Sequence, residues 1–199
     1  MMKRKFLEIA KEYEQYGIKA YEENADATAM WLIKNPQDYS VVVASNVFGD
    51  ILSDEASQLT GGLGFAPSGN IGVDAAIFEP SSGSVPKYAH QYKVNPSAMI
   101  MTAKMMLEYL GLDEDAAKIE KALGEVLVEN KPGTLTYDVL RDFRGDPDWE
   151  KNAASTIEMA TAIAQKLNPE FKGEKLEAAK EKVHKMCAWD EASLIGFAD

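Results

Sequence analysis

The run YSVVVAS, residues 39–45, constrains the fold of this chain more than any other feature of the sequence. Its middle is an unbroken series of apolar, mostly β-branched residues, which is typical of a strand covered on both faces. A second, short strand is predicted over 18–22. Apolar residues at helical spacing predict helices over 2–16 and 26–34. This alternation of helices and strands predicts an α/β fold.

Beyond residue 72 the sequence predicts mainly helices. Asn95 and Pro96 indicate a helix start, with Asn as the N-cap and Pro at the first helical position. VDAAIF, residues 73–78, predicts a strand, and LTYDVL, residues 135–140, predicts a strand end or an extended segment. The other helices are predicted over 97–110, 113–129, 152–167 and 174–187.

The composition excludes several classes of partner. The formal net charge is −11, from 32 acidic and 21 basic residues. Because nucleic-acid backbones are bound by basic surfaces, this balance argues against a nucleic-acid partner. No apolar run approaches the roughly 20 residues that span a bilayer, and the single cysteine, Cys187, excludes an internal disulfide. The sequence therefore predicts a cytoplasmic protein with neither a membrane nor a nucleic acid as partner.

Two aspartates, Asp50 and Asp54, follow the apolar run one helical turn apart. This spacing puts both carboxylates on one face of a helix, about 6 Å apart at Cβ. Carboxylate oxygens suit Mg²⁺ or Mn²⁺, which leave further positions to water and substrate. Asp26, at the head of the preceding helix, is either a third ligand or a cap. In the alternative interpretation Asp50 caps its helix and Asp54 is solvated, and spacing does not decide between the two.

The loop from Glu79 to Asn95 combines small residues with Lys87 and Tyr88. Small residues let a ligand approach the backbone, lysine supplies a charge for a phosphate, and tyrosine supplies a hydroxyl and a flat face. The alternative is a surface loop that carries an incidental lysine.

The stretch NVFGDILSDEASQLTGGLGFAPSGNIG, residues 46–72, closely resembles the signature of the isocitrate/isopropylmalate dehydrogenases, the β-decarboxylating family. ADATAM, residues 25–30, matches a further motif of that family. The resemblance extends from about residue 4 to about residue 167. It implies a three-layer α/β/α fold of the family type, incomplete because the sequence corresponds to the C-terminal half of family members.

The resemblance also implies a division into domains and a metal site. Residues 1–72 would belong to the small domain for dimerisation and metal binding, 73–168 to the large cofactor-binding domain, and 169–199 to a C-terminal helical extension. Asp50 and Asp54 would bind Mg²⁺ or Mn²⁺ in one subunit. Asp26 would reach the site of the neighbouring subunit as a catalytic residue and metal ligand, so that the active unit is a homodimer.

A cofactor site is implied by the same resemblance. In the family the loop is the adenosine-binding loop, and TLTYDVLR lies where NADP-using isocitrate dehydrogenases hold the 2′-phosphate. Ser82 stands where the family has histidine, so one expected ring contact to the cofactor is lost. The cofactor contacts carried over are Gly83, Ser84, Lys87, Tyr88, Asn95, Tyr137 and Arg141. Four of them, Lys87, Tyr88, Tyr137 and Arg141, favour NADP over NAD.

The predicted activity is Mg²⁺-dependent oxidation and decarboxylation of a small 2-hydroxy acid by NADP⁺, as in isocitrate dehydrogenase. The family's substrate-binding arginines, catalytic tyrosine and catalytic lysine have no counterpart in this sequence. Either a complementary N-terminal-half chain supplies them, or the sequence is truncated from a longer gene. One alternative is a non-catalytic nucleotide-binding, metal-binding or dimerising subunit. A weaker alternative is an isopropylmalate- or malate-type dehydrogenase.

Overall fold

The computed structural model describes residues 2–173, 178, 181 and 182, and the chain divides into two compact units, Met1–Thr60 and Gly61–Asp199. The family domains assigned above to 1–72, 73–168 and 169–199 stay predictions. The predicted helix over 174–187 falls almost entirely outside the described residues.

The first unit contains three α-helices: α1, Met2–Tyr13; α2, Ala25–Lys34; and α3, Asn46–Leu59. The first helix continues into a 3₁₀ turn, Glu14–Tyr16, and ends at Gly17, whose φ of 80° favours glycine. The second ends before Pro36, because a residue that precedes proline is driven out of the helical region. Helices α2 and α3 pack together. Helices α1 and α2 confirm the helices predicted over 2–16 and 26–34 from apolar spacing.

Both strands predicted in the first unit are wrong. Residues 18–22 and 39–45 form no strand, and Val41 in the second segment is 85% exposed. A strand needs a neighbouring strand to accept and donate its backbone hydrogen bonds. Among the described residues the only sheet is a two-stranded one in the second unit. The segment has the β-branched composition of a strand, but none of the described residues pairs with it.

The second unit begins with an antiparallel hairpin of β1, Pro67–Ile71, and β2, Ala76–Pro80. The strand predicted over 73–78 is therefore shifted toward the C-terminus, and β1 lies in a glycine-rich stretch that predicted no strand. Gly69 pairs with Phe78, and a Cβ atom on Gly69 would lie 3.2 Å from the Phe78 ring. Glycine at this position thus allows β2 to pack closely, and both strands lie against α4, Ser97–Tyr109.

The core of the second unit lies between α5, Asp113–Glu129, and α7, Thr156–Leu167. Leu135 and Met159 are almost fully buried there. The predicted helices 97–110 and 113–129 are confirmed, and the one predicted over 152–167 is observed as a short α6, Trp149–Asn152, followed by α7.

The extended segment predicted over 135–140 is wrong. After Leu135 and Thr136 the chain turns into a π-helical segment, Val139–Arg144. Leu135, Val139 and Leu140 are buried in the same core cluster. A helical turn brings residues four and five positions apart to one side, whereas an extended chain would spread them over two faces.

Candidate functional site

The three predicted metal ligands are exposed carboxylates of the first unit. Asp50 and Asp54 lie one turn apart inside α3, and the Asp50 carboxylate accepts a hydrogen bond of 3.3 Å from Asn46 Nδ2. The N-cap of α3 is Ser45, so the alternative in which Asp50 caps this helix is wrong. Asp26 lies in the first turn of α2, where the helix dipole favours a negative charge.

The described part of the chain contains no group of three or more His, Cys, Asp or Glu side chains that could hold a metal ion. The predicted set draws one of its three ligands from a second subunit, so it stays a prediction. The donors themselves fit a hard divalent cation: Asp50 and Asp54 offer carboxylate oxygens to solvent from one helix face.

The predicted cofactor loop is held in place at its C-terminal end. Asn95, which is 8% exposed, donates a hydrogen bond of 2.9 Å from Nδ2 to Asp138 Oδ2. Its Oδ1 accepts a hydrogen bond of 2.9 Å from the Ser97 backbone at the start of α4. Asn95 therefore ties the loop to the segment that carries Tyr137, a positioning role in addition to the predicted cofactor contact.

Four of the predicted cofactor residues come together in the second unit. The rings of Tyr88 and Tyr137 lie 5.5 Å apart at their centroids, nearly at right angles. Lys87 Nζ lies 4.7 Å from the centroid of the Tyr88 ring, and Arg141 Cζ lies 5.4 Å from that of Tyr137. The two pairs are separated by 49 to 54 positions in the sequence, and they form one cationic and aromatic surface.

Two further residues belong to this surface and were missed by sequence reasoning. Lys93 Nζ lies 4.3 Å from the centroid of the Tyr88 ring. The Trp149 ring lies 6.1 Å from that of Tyr137, and the Arg141 guanidinium lies 5.7 Å from its centroid. We call the set Lys87, Tyr88, Lys93, Tyr137, Arg141 and Trp149 the Tyr88 cluster. The signal that could have revealed Lys93 is its place two residues before Asn95 in the loop.

The two phenol groups of the cluster have pKa values that are shifted in opposite directions. The pKa of Tyr88 is lowered, first by its interaction with Tyr137 and then by its interaction with Lys87. The pKa of Tyr137 is raised to about 12 by burial and by its hydrogen bond to Tyr88. A phenol carries one O–H donor, so Tyr88 can donate a hydrogen bond to a ligand from this cluster.

The charges of the cluster are unequally compensated. Arg141 donates two hydrogen bonds, of 2.6 Å and 2.9 Å, to the Asp142 carboxylate, and this contact lowers the pKa of Asp142. Neither Lys87 nor Lys93 forms an ion pair with any of the described residues. The two lysines are thus the cations of the cluster that can balance the charge of a bound anion.

Two predicted contacts lie beside the cluster, in the exposed part of the loop. Gly83 and Ser84 are exposed, and a Cβ atom on Gly83 would meet nothing within 4 Å. A side chain would therefore fit at position 83 without a steric clash. Their predicted role as cofactor contacts stays a prediction.

The comparisons with known proteins place these residues in a family. A family model described as isocitrate/isopropylmalate dehydrogenase matches residues 1–163. The chain is 45% identical over 162 residues to a 3-isopropylmalate dehydrogenase of Methanothermobacter thermautotrophicus, and 45% identical over 166 residues to an isocitrate dehydrogenase [NADP] of Thermus thermophilus. It covers 44% and 31% of these two relatives, which are aligned with 81% and 83% of the chain.

A solved structure supports the same assignment. An isocitrate dehydrogenase from Methylococcus capsulatus matches with a TM-score of 0.69 and 40% identity, over 81% of this chain and 45% of that one. This match confirms the predicted α/β fold of the family for a part of its full length. None of the described helices is long and apolar enough to cross a bilayer. The family generally uses NAD or NADP and a divalent metal, and its members act on isocitrate, isopropylmalate or homoisocitrate. The chain belongs to the isocitrate/isopropylmalate dehydrogenase family.

Proposed function

We propose that this chain provides the nucleotide-binding and metal-binding part of an NADP-dependent, decarboxylating dehydrogenase of a 2-hydroxy acid, with isocitrate as the favoured substrate. The observation that carries this proposal is the convergence of Lys87, Tyr88, Tyr137 and Arg141 in one place. The 2′-phosphate that distinguishes NADP from NAD is an anion, and an anion requires cations and hydrogen-bond donors. An NAD-specific site would instead be expected to carry an acidic residue near position 87.

The metal part of the site consists of Asp50 and Asp54 of one copy with Asp26 of a second copy. A bound Mg²⁺ or Mn²⁺ would favour proton loss from the substrate hydroxyl, and NADP⁺ would accept the hydride. Asp50 and Asp54 supply oxygen ligands to the ion from one helix face, while the Tyr88 cluster binds and orients the adenosine end of the cofactor.

An exposed apolar surface beside the aspartates supports association with a second chain. On α3, Val47, Phe48 and Ile51 are 65%, 53% and 59% exposed. Val47 lies one helical turn before Asp50, so a chain that brought a third carboxylate to Asp50 would also contact Val47. We assign this surface to the homodimer, or to a complementary chain with the missing half of the site. Such an enzyme would act in the cytoplasm.

The nucleotide part of the proposal is tested by calorimetric titration of the full chain with NADP⁺ and with NAD⁺. We expect tighter binding of NADP⁺, and we expect Lys87→Gln to weaken it about tenfold, the usual value of one charged hydrogen bond. Lys121→Gln, which removes an exposed lysine of α5 outside the cluster, is the matched control. Equal affinity of the unaltered chain for both nucleotides would contradict the assignment to NADP.

The shared metal site is tested through association. Phe48→Asp places a charge on the exposed surface of α3 and should shift the chain to the monomer in sedimentation velocity experiments. The same variant should weaken Mn²⁺ binding measured by electron paramagnetic resonance, because Asp26 would no longer reach the ion. Val128→Asp, at an 81% exposed apolar position of α5, is the control. Monomeric unaltered chain with unchanged Mn²⁺ binding in both variants would refute the shared site.

A second candidate function is a nucleotide-binding subunit without turnover. Ser82 favours it, because serine cannot provide the ring contact that the family's histidine makes. Adding NADP⁺, Mg²⁺ and isocitrate to the chain together with a candidate N-terminal half separates the two functions. NADPH production supports the enzyme, whereas NADP⁺ binding without NADPH production supports the subunit.

A further inference from the structure

Two lysines converge on one tyrosine ring in a chain that is otherwise strongly acidic. Lys87 Nζ and Lys93 Nζ lie 4.7 Å and 4.3 Å from the centroid of the Tyr88 ring, although the chain as a whole carries a net charge of −11. Both contacts are favourable cation–π interactions, and together they concentrate positive charge at this ring. An anion bound between the two ammonium groups or beside them would balance this charge. We propose that Lys93 is a second phosphate-binding lysine of this site and sets its preference for a phosphomonoester on the ribose. This inference rests on the proposed function.

Charge balance is the first argument for Lys93. A phosphomonoester carries between about 1.5 and 2 negative charges at neutral pH. Arg141 is already compensated by Asp142 through two hydrogen bonds. Lys87 alone would therefore leave about one negative charge of the phosphate unmatched, and Lys93 supplies the missing charge. An uncharged ribose hydroxyl, as in NAD, would leave both lysines uncompensated.

The backbone around Lys93 is fixed, which is the second argument. The Thr156 backbone N–H donates a hydrogen bond of 2.7 Å to the Tyr92 carbonyl, and Thr156 Oγ1 donates one of 2.5 Å to the Val94 carbonyl. The next residue, Asn95, is tied to Asp138. Lys93 thus projects from a segment held on both sides by the start of α7, and it is itself partly buried. Less side-chain and backbone freedom is lost on binding from such a position than from an open loop.

The Tyr88 hydroxyl completes the site. Its O–H is a hydrogen-bond donor on the ring that both lysines contact. A phosphate placed at this hydroxyl would receive one neutral hydrogen bond and lie beside the two ammonium groups. The three donors come from a single short stretch of the loop, residues 87–93, while the Tyr137 ring packs against the Tyr88 ring from outside it.

The test compares Lys93→Gln with the unaltered chain in calorimetric titrations with NADP⁺, NAD⁺ and adenosine 2′,5′-bisphosphate. We expect about tenfold weaker binding of both 2′-phosphorylated probes, as for the loss of one charge-assisted contact, and less than about a twofold change for NAD⁺. Lys93→Arg should restore most of the affinity, because it keeps the charge. Lys121→Gln should change none of the three affinities.

The outcomes separate the two proposals. If the unaltered chain prefers NADP⁺ and Lys93→Gln keeps that preference, the role of Lys93 is refuted and the proposed function stands. If Lys93→Gln weakens NADP⁺ and NAD⁺ equally, Lys93 only maintains the loop and the inference is again refuted. If the unaltered chain binds none of the probes, the proposed function fails and the inference fails with it.

Discussion

The two units of the chain bury their apolar residues to very different degrees. In the second unit eight buried residues form one core cluster, to which α5, α7 and the segment 135–140 contribute. In the first unit the buried apolar side chains are Leu32 and Leu52, whereas Val41, Val47 and Ile51 are more than half exposed. Surfaces of this kind mark contact sites for other chains. The first unit therefore has well-formed helices although much of its apolar surface is exposed to solvent.

The largest expected effect comes from removing a core side chain of the second unit. Leu135 is 1% exposed, and Leu135→Ala should lower the free energy of unfolding of this unit by about 2–5 kcal/mol, since it leaves a cavity. Phe48→Ala, at a 53% exposed position of the first unit, should change it by no more than about 0.5 kcal/mol at concentrations where the chain is monomeric. Urea denaturation followed by circular dichroism measures both.

If Phe48→Ala destabilised the monomer as much as Leu135→Ala, Phe48 would be buried within a single chain, and the two units would not differ in this way. If Phe48→Ala destabilised the chain only at higher protein concentration, Phe48 would be buried by a second copy of the chain.

A smaller effect on stability is expected at the residues that precede α3 and α7, which have nearly the same backbone conformation. Ser45 before α3 has φ −73° and ψ 161°, and Ser155 before α7 has φ −71° and ψ 162°. Ser155 Oγ accepts a hydrogen bond from the Glu158 backbone, and the Glu158 carboxylate accepts one from the Ser155 N–H. At the equivalent position after Ser45 stands Phe48, which cannot return such a bond, and the Ser45 side chain makes no capping bond.

Ser155→Ala should therefore cost about 1 kcal/mol of stability, the usual value of a capping side chain. Ser45→Ala should cost a few tenths of a kcal/mol at most, because no bond is lost there. Thermal denaturation of the two variants measures the difference. Equal losses would show that Ser45 caps α3 in solution and would remove this contrast between the units.

The helices could be predicted from the sequence because their determinants are local. Apolar spacing and the turns at Gly17, Pro36 and Gly111 delimit α1, α2 and the α4–α5 pair within a few residues. The strands could not be predicted in the same way, since a strand exists only where a second strand pairs with it. The segment 39–45 has strand composition, but no strand pairs with it in the described part of the chain, whereas β1 has a partner in β2 despite its glycine.

The site shows the same division between local and distant determinants. Lys87, Tyr88, Tyr137 and Arg141 could be predicted because the family motifs single them out. Lys93 and Trp149 enter the cluster only through tertiary contacts: Thr156 fixes the backbone around Lys93, and the turn after the π-helical segment brings Trp149 against Tyr137. The place of Lys93 two residues before Asn95 is a local signal, but its contact with Tyr88 and that of Trp149 with Tyr137 depend on the tertiary fold.

The smallest effect concerns an ion-pair group that joins α5 and α7 in the second unit. Glu129 pairs with Lys131 and with Lys166, and these contacts lower the pKa of Glu129 from 4.5 to about 2. Because the pKa of Glu129 is depressed in the folded chain, the pairs stabilise the folded chain above about pH 4.5, and this contribution is lost as the pH falls toward 2.

Glu129→Gln should therefore make the fall in melting temperature between pH 4.5 and pH 2 shallower than in the unaltered chain. Glu150→Gln removes one exposed carboxylate elsewhere and controls for net charge. An identical pH dependence in the Glu129→Gln variant and the unaltered chain would show that these exposed pairs add nothing to the stability of the folded chain.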